Sequence, residues 1–410
     1  MRHDARRSLF YGQLDRYWAD LYGEEYSLFD AHIVKDEEIE AIREATARIG
    51  HIYRRVAELL QSVDGRTLLD LGFPASSVPY LQAAGSTLPV IARLDLVPEG
   101  STYRVMEINA DTPTFIKELY HVNGLVCEQF GLHDPNAGLD AQLAAAVRRR
   151  IFAAWEALEG EGLPVIAFTA HEDNVEDANT ALYLQELSGL PSRFVPLHKL
   201  QIIQGEGLFD EEGVRIDVLY RQTYPIEQMI EDTDAEGRPI GLWLLELVRG
   251  GKVAMLNPLS AFLLQAKSVQ AVIWGLHEEG SAYFSAEEHG WIRDHFLPTY
   301  LEPDPFLERM ERYVRKPSFG REGNSVKIYD GDGKLQLADP QASYEHYLPV
   351  YQRCLDMPSV SFRTVQGERE GAYMIGSFLI DGKPGAIGLR AGNTITDNLS
   401  YFLPAGLAKK

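Results

Sequence analysis

Cysteine is scarce in this sequence, and its scarcity excludes two classes of protein. The 410 residues contain two cysteines, Cys127 and Cys354. Two thiols are too few for a disulfide framework or for a zinc site built from thiolates. A reducing compartment is the simpler expectation, so we predict a cytoplasmic protein.

Long apolar runs are also missing. The longest candidate, residues 254–274, is interrupted by two amides, a proline and a lysine, so no transmembrane helix is expected. The first residues are partly basic but lack the apolar stretch of a signal peptide. We therefore predict no membrane insertion.

Basic residues are outnumbered by acidic residues. Lys and Arg total 39 against 60 Asp and Glu, which gives a formal net charge of −21. Such a field disfavours nucleic acids and anionic membrane surfaces as partners, because both require an excess of basic side chains. A cationic substrate such as a polyamine would be attracted, although solubility alone explains the same charge.

Several common catalytic motifs are absent as well. The sequence contains no GxxxxGK[ST] phosphate loop, no HExxH and no GxSxG. Readily recognised P-loop, metalloprotease and serine hydrolase chemistries are thereby excluded. The two histidines at 289 and 295 lack a nearby cysteine, which removes a zinc site of mixed ligands from consideration.

The hydrophobic pattern present predicts a mixture of helices and strands. Alternation of the two in the middle of the chain indicates an α/β layer, and the C-terminal part is rich in strands. A helix beginning near residue 257 would use Asn257 as its N-cap and Pro258 as its first residue. The predicted helices cover residues 9–62, 139–158, 177–187 and 257–276. The predicted strands cover residues 86–97, 102–110, 165–169, 216–220, 313–316, 347–355, 372–380 and 385–390.

The strands on either side of residues 98–101 form the most informative segment. Side chains alternate with a period of two, so Asp95, Glu107 and Asn109 are expected on one face of a hairpin, with Arg93 beside them. Two carboxylates and an amide oxygen are hard ligands that suit Mg²⁺. A solvent-facing strand with an Arg–carboxylate pair is an equally good explanation, and a register slip of one residue would scatter the group.

Other segments could bind phosphate or anions. A loop after residue 316 contains Gly320 and Gly323 between basic side chains, so its backbone N–H groups could contact phosphate oxygens, although a surface turn is the commoner outcome. Lys267, in a predicted apolar helix, either reaches water or meets an anion. Arg390, at the end of a strand, either closes on a phosphate or pairs with a carboxylate.

An acidic cluster, residues 172–177, precedes a predicted helix. Acidic side chains at a helix N-terminus normally interact with the helix dipole, which is the default explanation. Four acids in six residues could also hold an amine.

Taken in order, these segments resemble the glutathionylspermidine synthase family. The resemblance rests on five short matches that span residues 90–395, and the ExN element at 107–109 is also similar to that of eukaryotic-type glutathione synthetase. The matches are RLD at 93–95, EINADTPT at 107–114, Lys267, KPSFGREGN at 316–324 and GLR at 388–390.

The resemblance implies a carbon–nitrogen ligase of the ATP-grasp type that uses ATP and Mg²⁺. The implied fold is α/β (α+β), an ATP-grasp-like fold with a preceding α/β substrate-binding domain. We divide the chain into residues 1–120, a helical region with the metal- and carboxylate-binding hairpin, residues 121–250, the α/β domain for the amine, and residues 251–410, the nucleotide-binding region.

The family pattern assigns roles to individual residues. The implied metal ligands are Asp95, Glu107 and Asn109. The implied ATP-binding residues are Lys267, Lys316, Gly320, Gly323, Gln352, Leu355 and Arg390, with residues 351–355 similar to the hinge that holds adenine. The implied catalytic arginines are Arg93, Arg321 and Arg390. The implied substrate-binding residues are Arg93, Thr112 and Thr114 for the acid, and Glu176 and Asp177 for the amine.

The hypothesis that follows is a ligase that forms an amide through an acyl phosphate. Its partners would be the carboxylate of a small molecule or short peptide and a cationic amine such as a polyamine. The alternatives are an ATP-dependent phosphotransferase and a non-catalytic protein that binds nucleotide or polyamine. Residues 1–85 contain no cysteine, so the amidase domain of the bifunctional family members is not expected. The sequence leaves open the acid, the amine and the oligomeric state.

Overall fold

A computed structural model describes residues 2–82, 88–397 and 399–409. Helices and strands are numbered in chain order, and short 3₁₀ and π-helical turns are left without labels. The helices are α1 His3–Tyr11, α2 Asp36–Ser62, α3 Gly65–Asp70, α4 Val78–Leu81, α5 Asn123–Gln129, α6 Leu139–Ala157, α7 Val175–Ser188, α8 Ile226–Met229, α9 Ile240–Arg249, α10 Ser268–Glu278, α11 Ala286–His295 and α12 Asp304–Arg309. The strands are β1 Asp20–Leu21, β2 Glu24–Glu25, β3 His32–Val34, β4 Ile91–Glu99, β5 Thr102–Asn109, β6 Ile166–Ala170, β7 Arg193–Phe194, β8 Gln201–Ile203, β9 Gly207–Phe209, β10 Arg215–Ile216, β11 Val218–Gln222, β12 Ala254–Leu256, β13 Thr299–Tyr300, β14 Tyr313–Pro317, β15 Lys327–Tyr329, β16 Leu335–Ala338, β17 Pro349–Arg353, β18 Ser359–Thr364, β19 Gly367–Ile380, β20 Lys383–Gly392, β21 Tyr401–Leu403 and β22 Ala405–Leu407.

The largest sheet joins the hairpin to the C-terminal strands. Its strand order is β21-β20-β19-β4-β5, and β18 pairs with β19 on a branch. The predicted hairpin is confirmed, since Asp95 pairs with Glu107 and Arg93 with Asn109. Directly paired residues share a face, so the predicted convergence of these side chains is also confirmed. The first strand begins at Ile91, and residues 86 and 87 of its predicted extent lie outside the described residues.

A second sheet is parallel, with the order β12-β11-β6-β7. Its two central strands, β6 and β11, are buried along their whole length, as expected for strands covered on both faces. The helix α7 packs on β6, and α6 packs near β12. The predicted α/β layer is confirmed. In such sheets, ligands bind beyond the carboxyl ends of the strands.

A third, antiparallel sheet carries the glycine loop. Its order is β13-β17-β14-β15-β16, and the loop connects β14 to β15. The helix α2 supplies much of the central core, because its buried residues recur at helical spacing, among them Ile42, Ile49, Ile52 and Val56. The fold thereby brings the hairpin, the parallel sheet and the loop around one region.

The predicted helix over residues 9–62 is wrong in its first half. The first helix ends at Tyr11, and residues 12–35 contain turns and β1, β2 and β3 before α2 begins at Asp36. The chain reverses at Tyr22 and Gly23, both of which have positive φ angles of 55° and 81°. That conformation cannot continue a right-handed helix.

The predicted continuous helix from Asn257 is also wrong. A 3₁₀ helix covers Leu259–Leu264, and α10 starts only after Lys267, which is therefore at a helix N-terminus rather than within a helix. Asn257 does not cap a helix, because its side-chain amide binds the backbone of the hairpin.

The division at residues 120 and 250 stays a prediction. The largest sheet combines strands from the first and the third of the predicted regions. In the ranges that the structure describes, no helix combines the length and the apolar character needed to span a bilayer.

Candidate active site

Two adjoining cavities lie where the three sheets meet, and each predicted site residue lines at least one of them. Glu107, Arg321, Glu322 and Arg390 line both. The predicted residues in the first cavity are Asp95, Glu107, Lys267, Lys316, Gly320, Arg321, Gly323, Gln352, Leu355 and Arg390. The predicted residues in the second cavity are Arg93, Glu107, Asn109, Thr112, Thr114, Glu176, Asp177, Arg321 and Arg390.

The hairpin face is strongly charged. Arg93 forms a two-pronged ion pair with Asp95, with Nε to Oδ1 at 2.7 Å and Nη2 to Oδ2 at 3.0 Å. Glu107 Oε2 lies 3.1 Å from Lys267 Nζ. Burial alone would raise the pKa of Glu107, but Lys267 and Lys316 bring this pKa down to about 2. The Glu107 carboxylate is therefore ionised at neutral pH.

The donor set on this face fits a hard divalent cation. Asn109 completes the set, and its buried Nδ2 has no hydrogen-bond partner among the described residues. No group of three or more His, Cys, Asp or Glu side chains suited to a metal occurs in the described ranges. A metal held here would therefore take two carboxylates and an amide oxygen, and Mg²⁺ characteristically uses few protein oxygens and completes its shell with water and phosphates.

Two buried amides fix the end of the hairpin. Asn257 Nδ2 donates to Ile91 O at 2.8 Å and to Ala110 O at 2.9 Å, and its Oδ1 accepts from Val90 N at 2.7 Å. Gln265 Oε1 accepts from Ala110 N at 2.9 Å. Because these bonds hold the residues next to Asn109, they set the direction in which its side chain points. Sequence reasoning missed this role for both amides.

Two lysines next to the hairpin face bring positive charge to the first cavity. Lys316 is buried, and its Nζ donates to Gln352 Oε1 at 2.7 Å. Burial lowers the pKa of Lys316 to about 8, although Glu107 acts in the opposite direction. Lys267 Nζ also donates to Gly320 O at 3.0 Å, so the second lysine contacts the glycine loop. The two lysines and the loop form a site suited to a polyanion.

The glycine loop reaches across to Thr112, in the segment that follows β5. Arg321 Nη2 donates to Thr112 Oγ1 at 2.8 Å, while its buried Nε has no partner among the residues that the structure describes. Arg390, which also lines both cavities, donates from Nη2 to Asp397 O at 3.0 Å. Both guanidinium groups border the two cavities, so either could stabilise negative charge that develops between them.

The second cavity, of about 290 Å³, is acidic on one side. Glu176 and Asp177 lie in the first turn of α7, which Asn174 caps by accepting from Asp177 N at 3.1 Å. Burial, with smaller contributions from the carboxylates of Glu118 and Asp177, raises the pKa of Glu176 to about 8. Burial also raises the pKa of Asp177, against the opposing charge of Arg321. A cation bound here would relieve the repulsion between the two carboxylates.

Arg93 and two threonines line the wall between the hairpin and this acidic side. Arg93 Nη1 donates to Thr114 O at 3.2 Å, and Thr112 is held by the loop arginine. The structure thus brings every predicted residue to one region, while their individual roles stay predictions. Sequence reasoning missed Glu322 and Tyr26, which line the second cavity, and Gln222, which bonds to Asp177. The position of Gln222 at the carboxyl end of a parallel strand was the one available signal.

Comparison with known proteins gives a family match over nearly the whole chain. The family model described as glutathionylspermidine synthase preATP-grasp matches residues 9–408. A Haemophilus influenzae protein assigned as an acid–amine ligase is 24% identical over 350 residues, which cover 76% of this chain and 73% of that protein. The trypanothione synthetase of Crithidia fasciculata is 23% identical over 329 residues, which cover 76% of this chain but only 46% of that enzyme.

A solved structure supports the same fold. A glutathione synthetase-like effector from Globodera pallida, determined in its apo form, superposes with a TM-score of 0.61 at 14% sequence identity, with 99% of this chain and 96% of the effector covered. The predicted mixed α/β, ATP-grasp-like class is confirmed.

Proposed function

This chain belongs to the glutathionylspermidine synthase family and is a carbon–nitrogen ligase of the acid–amine type, and we propose that it uses ATP and Mg²⁺ to form an amide through an acyl phosphate. The observation that carries this proposal is the shared wall of the two cavities. A cationic cavity and a partly acidic cavity meet at Glu107, Arg321 and Arg390. That arrangement suits a polyphosphate on one side, an amine on the other and a reacting carboxylate between them.

The chemistry requires activation of the acid. A carboxylate is a poor acyl donor because its leaving group would be oxide. Transfer of the γ-phosphoryl group of ATP to a carboxylate oxygen gives ADP and an acyl phosphate. The reacting ammonium group first gives up one proton to water, which leaves a neutral amine. Attack by this amine on the acyl carbon forms the C–N bond and breaks the C–O bond to phosphate, and the leaving phosphate takes up the second proton that the nitrogen loses. Both steps build negative charge on oxygen, which fixed cationic groups stabilise.

We assign the nucleotide to the first cavity. Lys267 and Lys316 would bind its phosphates, with backbone groups of Gly320 and Gly323 above them. Gln352 and Leu355 line the same cavity and would lie next to the adenine. Because Lys316 is buried, its attraction to phosphate is less screened by water than that of a surface lysine.

Asp95, Glu107 and Asn109 would hold Mg²⁺, which when bound supplies positive charge that neutralises the phosphate oxygens. Asp95 is now paired with Arg93, and Glu107 with Lys267. If both carboxylates bound the metal, Lys267 would pair with phosphate and Arg93 with the carboxylate of the acid, so no buried charge would be left unpaired.

The acid and the amine occupy the second cavity in this proposal. Arg93, Thr112 and Thr114 would hold the carboxylate, and Arg321 and Arg390 would stabilise the phosphoryl group in transfer. Glu176 and Asp177 would bind the ammonium group of the amine. The acidic wall favours a cationic amine such as a polyamine, and the acid would be an amino acid or a short peptide.

A screen of ADP release tests the function. Purified protein with ATP and Mg²⁺ is offered a matrix of carboxylates (glutathione, other γ-glutamyl peptides, free amino acids) against polyamines, and products are identified by mass. We expect ADP release that depends on both partners, with an amide and phosphate as products. A stable phosphorylated product would indicate phosphoryl transfer without amide formation, and no ADP release with any pair would refute activation of the acid by ATP.

A further inference from the structure

One buried amide, bonded to two residues that line the second cavity, is not used by the proposed chemistry. Gln222 ends β11 and is completely shielded from solvent. Its Nε2 lies 3.3 Å from Thr112 O, 3.3 Å from Pro113 O and 3.4 Å from Asp177 Oδ1. The three acceptors come from the segment assigned to the acid and from the helix turn assigned to the amine.

The orientation of this amide is fixed by its own strand. Tyr220, two residues earlier, donates its hydroxyl to Gln222 Oε1 at 2.9 Å. Two carbonyl oxygens and a carboxylate surround the opposite end, and none of these can donate a hydrogen. The NH₂ group must therefore face Thr112, Pro113 and Asp177.

We propose that Gln222 is a positioning residue that ties Asp177 to the Thr112–Pro113 segment and so sets the spacing between the amine and the acid. This inference rests on the proposed function, because it takes Asp177 as an amine-binding group. Thr112 and Pro113 follow the hairpin of the largest sheet, whereas Asp177 follows a strand of the parallel sheet. The bridge therefore connects two separate sheets at the point where their ligands would react.

A single hydrogen-bonded bridge at this place should have a large effect on the reaction rate. Attack on an acyl phosphate requires the reacting atoms to lie about 3–3.5 Å apart, and small misplacements cost substantial rate. A hydrogen bond to a buried carboxylate also favours its charged form, and this is the form that binds an ammonium group. In agreement with this, the Gln222 amide acts to lower the pKa of Asp177 against the effect of burial.

The test uses the full chain and the isosteric variant Gln222→Met, which removes the amide and preserves the volume. With a non-hydrolysable ATP analogue and Mg²⁺ present, spermidine binding is measured by calorimetry, and KM and kcat are measured for the acid and amine pair that gives turnover. We expect about tenfold weaker spermidine binding and a similar rise in the amine KM, with less than about a twofold change in the KM for ATP.

A double-mutant cycle separates positioning from a general loss of packing. In an Asp177→Ala background, Gln222→Met should change spermidine binding less than about twofold, because the group through which it acts is gone. Tyr220→Phe, which removes only the hydroxyl that orients the amide, should reproduce part of the effect. The Tyr220→Phe variant keeps the inference testable if Gln222→Met does not fold.

The matched control is Asn136→Leu, which removes another buried amide, bonded to the backbone of Leu119 and Ile387. It should lower stability without changing spermidine binding. The inference would be overturned if Gln222→Met left spermidine binding unchanged. It would also be overturned if Gln222→Met weakened spermidine binding by the same factor in the Asp177→Ala background as in the wild type. Failure of the wild-type chain to make any amide, with these binding differences intact, would overturn the ligase proposal alone.

Discussion

Glu107 borders both cavities and interacts with two lysines, so it should be the most sensitive single side chain. Glu107→Gln retains shape but removes the negative charge that Lys267 and Lys316 now balance. We expect ADP release to fall by about 10²–10³-fold, as is typical when one electrostatic group of an active site is lost. The measurement is ADP release at saturating ATP and Mg²⁺, with circular dichroism to verify the fold.

Glu370→Gln provides the control for that substitution, because Glu370 is an exposed carboxylate on the same sheet that accepts a hydrogen bond from Ser359 Oγ. It should leave the rate unchanged. A rate for Glu107→Gln near that of the wild type would remove Glu107 from the proposed metal site.

The pH dependence of amine binding should follow Glu176. Its pKa is raised to about 8, so this carboxyl is mostly neutral at pH 7 and gains its charge as the pH rises. An aliphatic ammonium, with a pKa near about 10.4, remains charged over this range. The KM for the amine should therefore fall severalfold between about pH 7 and 9 in the wild type. In Glu176→Gln the KM should be nearly independent of pH and should exceed the wild-type KM most at about pH 9, and a retained dependence would assign the titration to another group.

At the residue scale, the sequence predicted those side chains whose neighbours are close along the chain. Asp95 and Glu107 were predicted to meet because a short turn and a period of two fix their pairing. Asn257 and Gln222 were not, since each bonds to a backbone carbonyl more than a hundred residues away, Ile91 O for Asn257 and Thr112 O for Gln222. No local pattern distinguishes a buried amide that bonds a distant backbone from one that caps a helix.

Among the elements, the glycine loop offers the sharpest test. Gly323 has a φ angle of +69°, and a Cβ placed on it would lie 2.6 Å from both Ile395 Cγ2 and Thr396 O. Gly323→Ala should therefore displace the loop and Arg321 with it. We expect kcat to fall at least tenfold, because the displaced loop would no longer exclude water from the proposed acyl phosphate.

Gly237→Ala is the matched control, because Gly237 has a similar φ of +77° and open space around it. It carries the same backbone strain without contacting either cavity, so it should reduce stability by about 1 kcal/mol and leave kcat unchanged. Equal losses of kcat in the two variants would point to strain alone.

Elements were predicted well where burial is periodic and poorly where tertiary pairing determines the backbone. The second half of the predicted helix at 9–62 is α2, whose apolar stripe is continuous. The first half is extended in part because β3 pairs with β22, at the other end of the chain. A strand of three residues has no local signal strong enough to override a helical pattern.

At the scale of the whole molecule, strands from both ends of the chain share sheets. We therefore expect one cooperative unfolding transition by calorimetry, and we expect fragments 1–250 and 251–409 not to fold separately. Asn123 provides a probe, since its buried amide donates to Asp134 Oδ1 at 2.7 Å and to Ala405 O at 3.0 Å. Asn123→Ala should lower the free energy of unfolding by about 2 kcal/mol.

The exposed Asn393 supplies the comparison, because its substitution by alanine should change the free energy of unfolding by less than about 0.5 kcal/mol. Two separate transitions in the wild type, with only one affected by Asn123→Ala, would show that the predicted regions unfold independently.

The clamp of Asn257 and Gln265 on Ala110 has a consequence for altering specificity. These amides secure the backbone between the proposed metal ligands, Asp95, Glu107 and Asn109, and the threonines at 112 and 114. Libraries that vary Thr112 and Thr114 should therefore yield enzymes with new acid preferences and an undisturbed phosphoryl-transfer centre. Variation of Asn257 or Gln265 should harm activation of every acid alike.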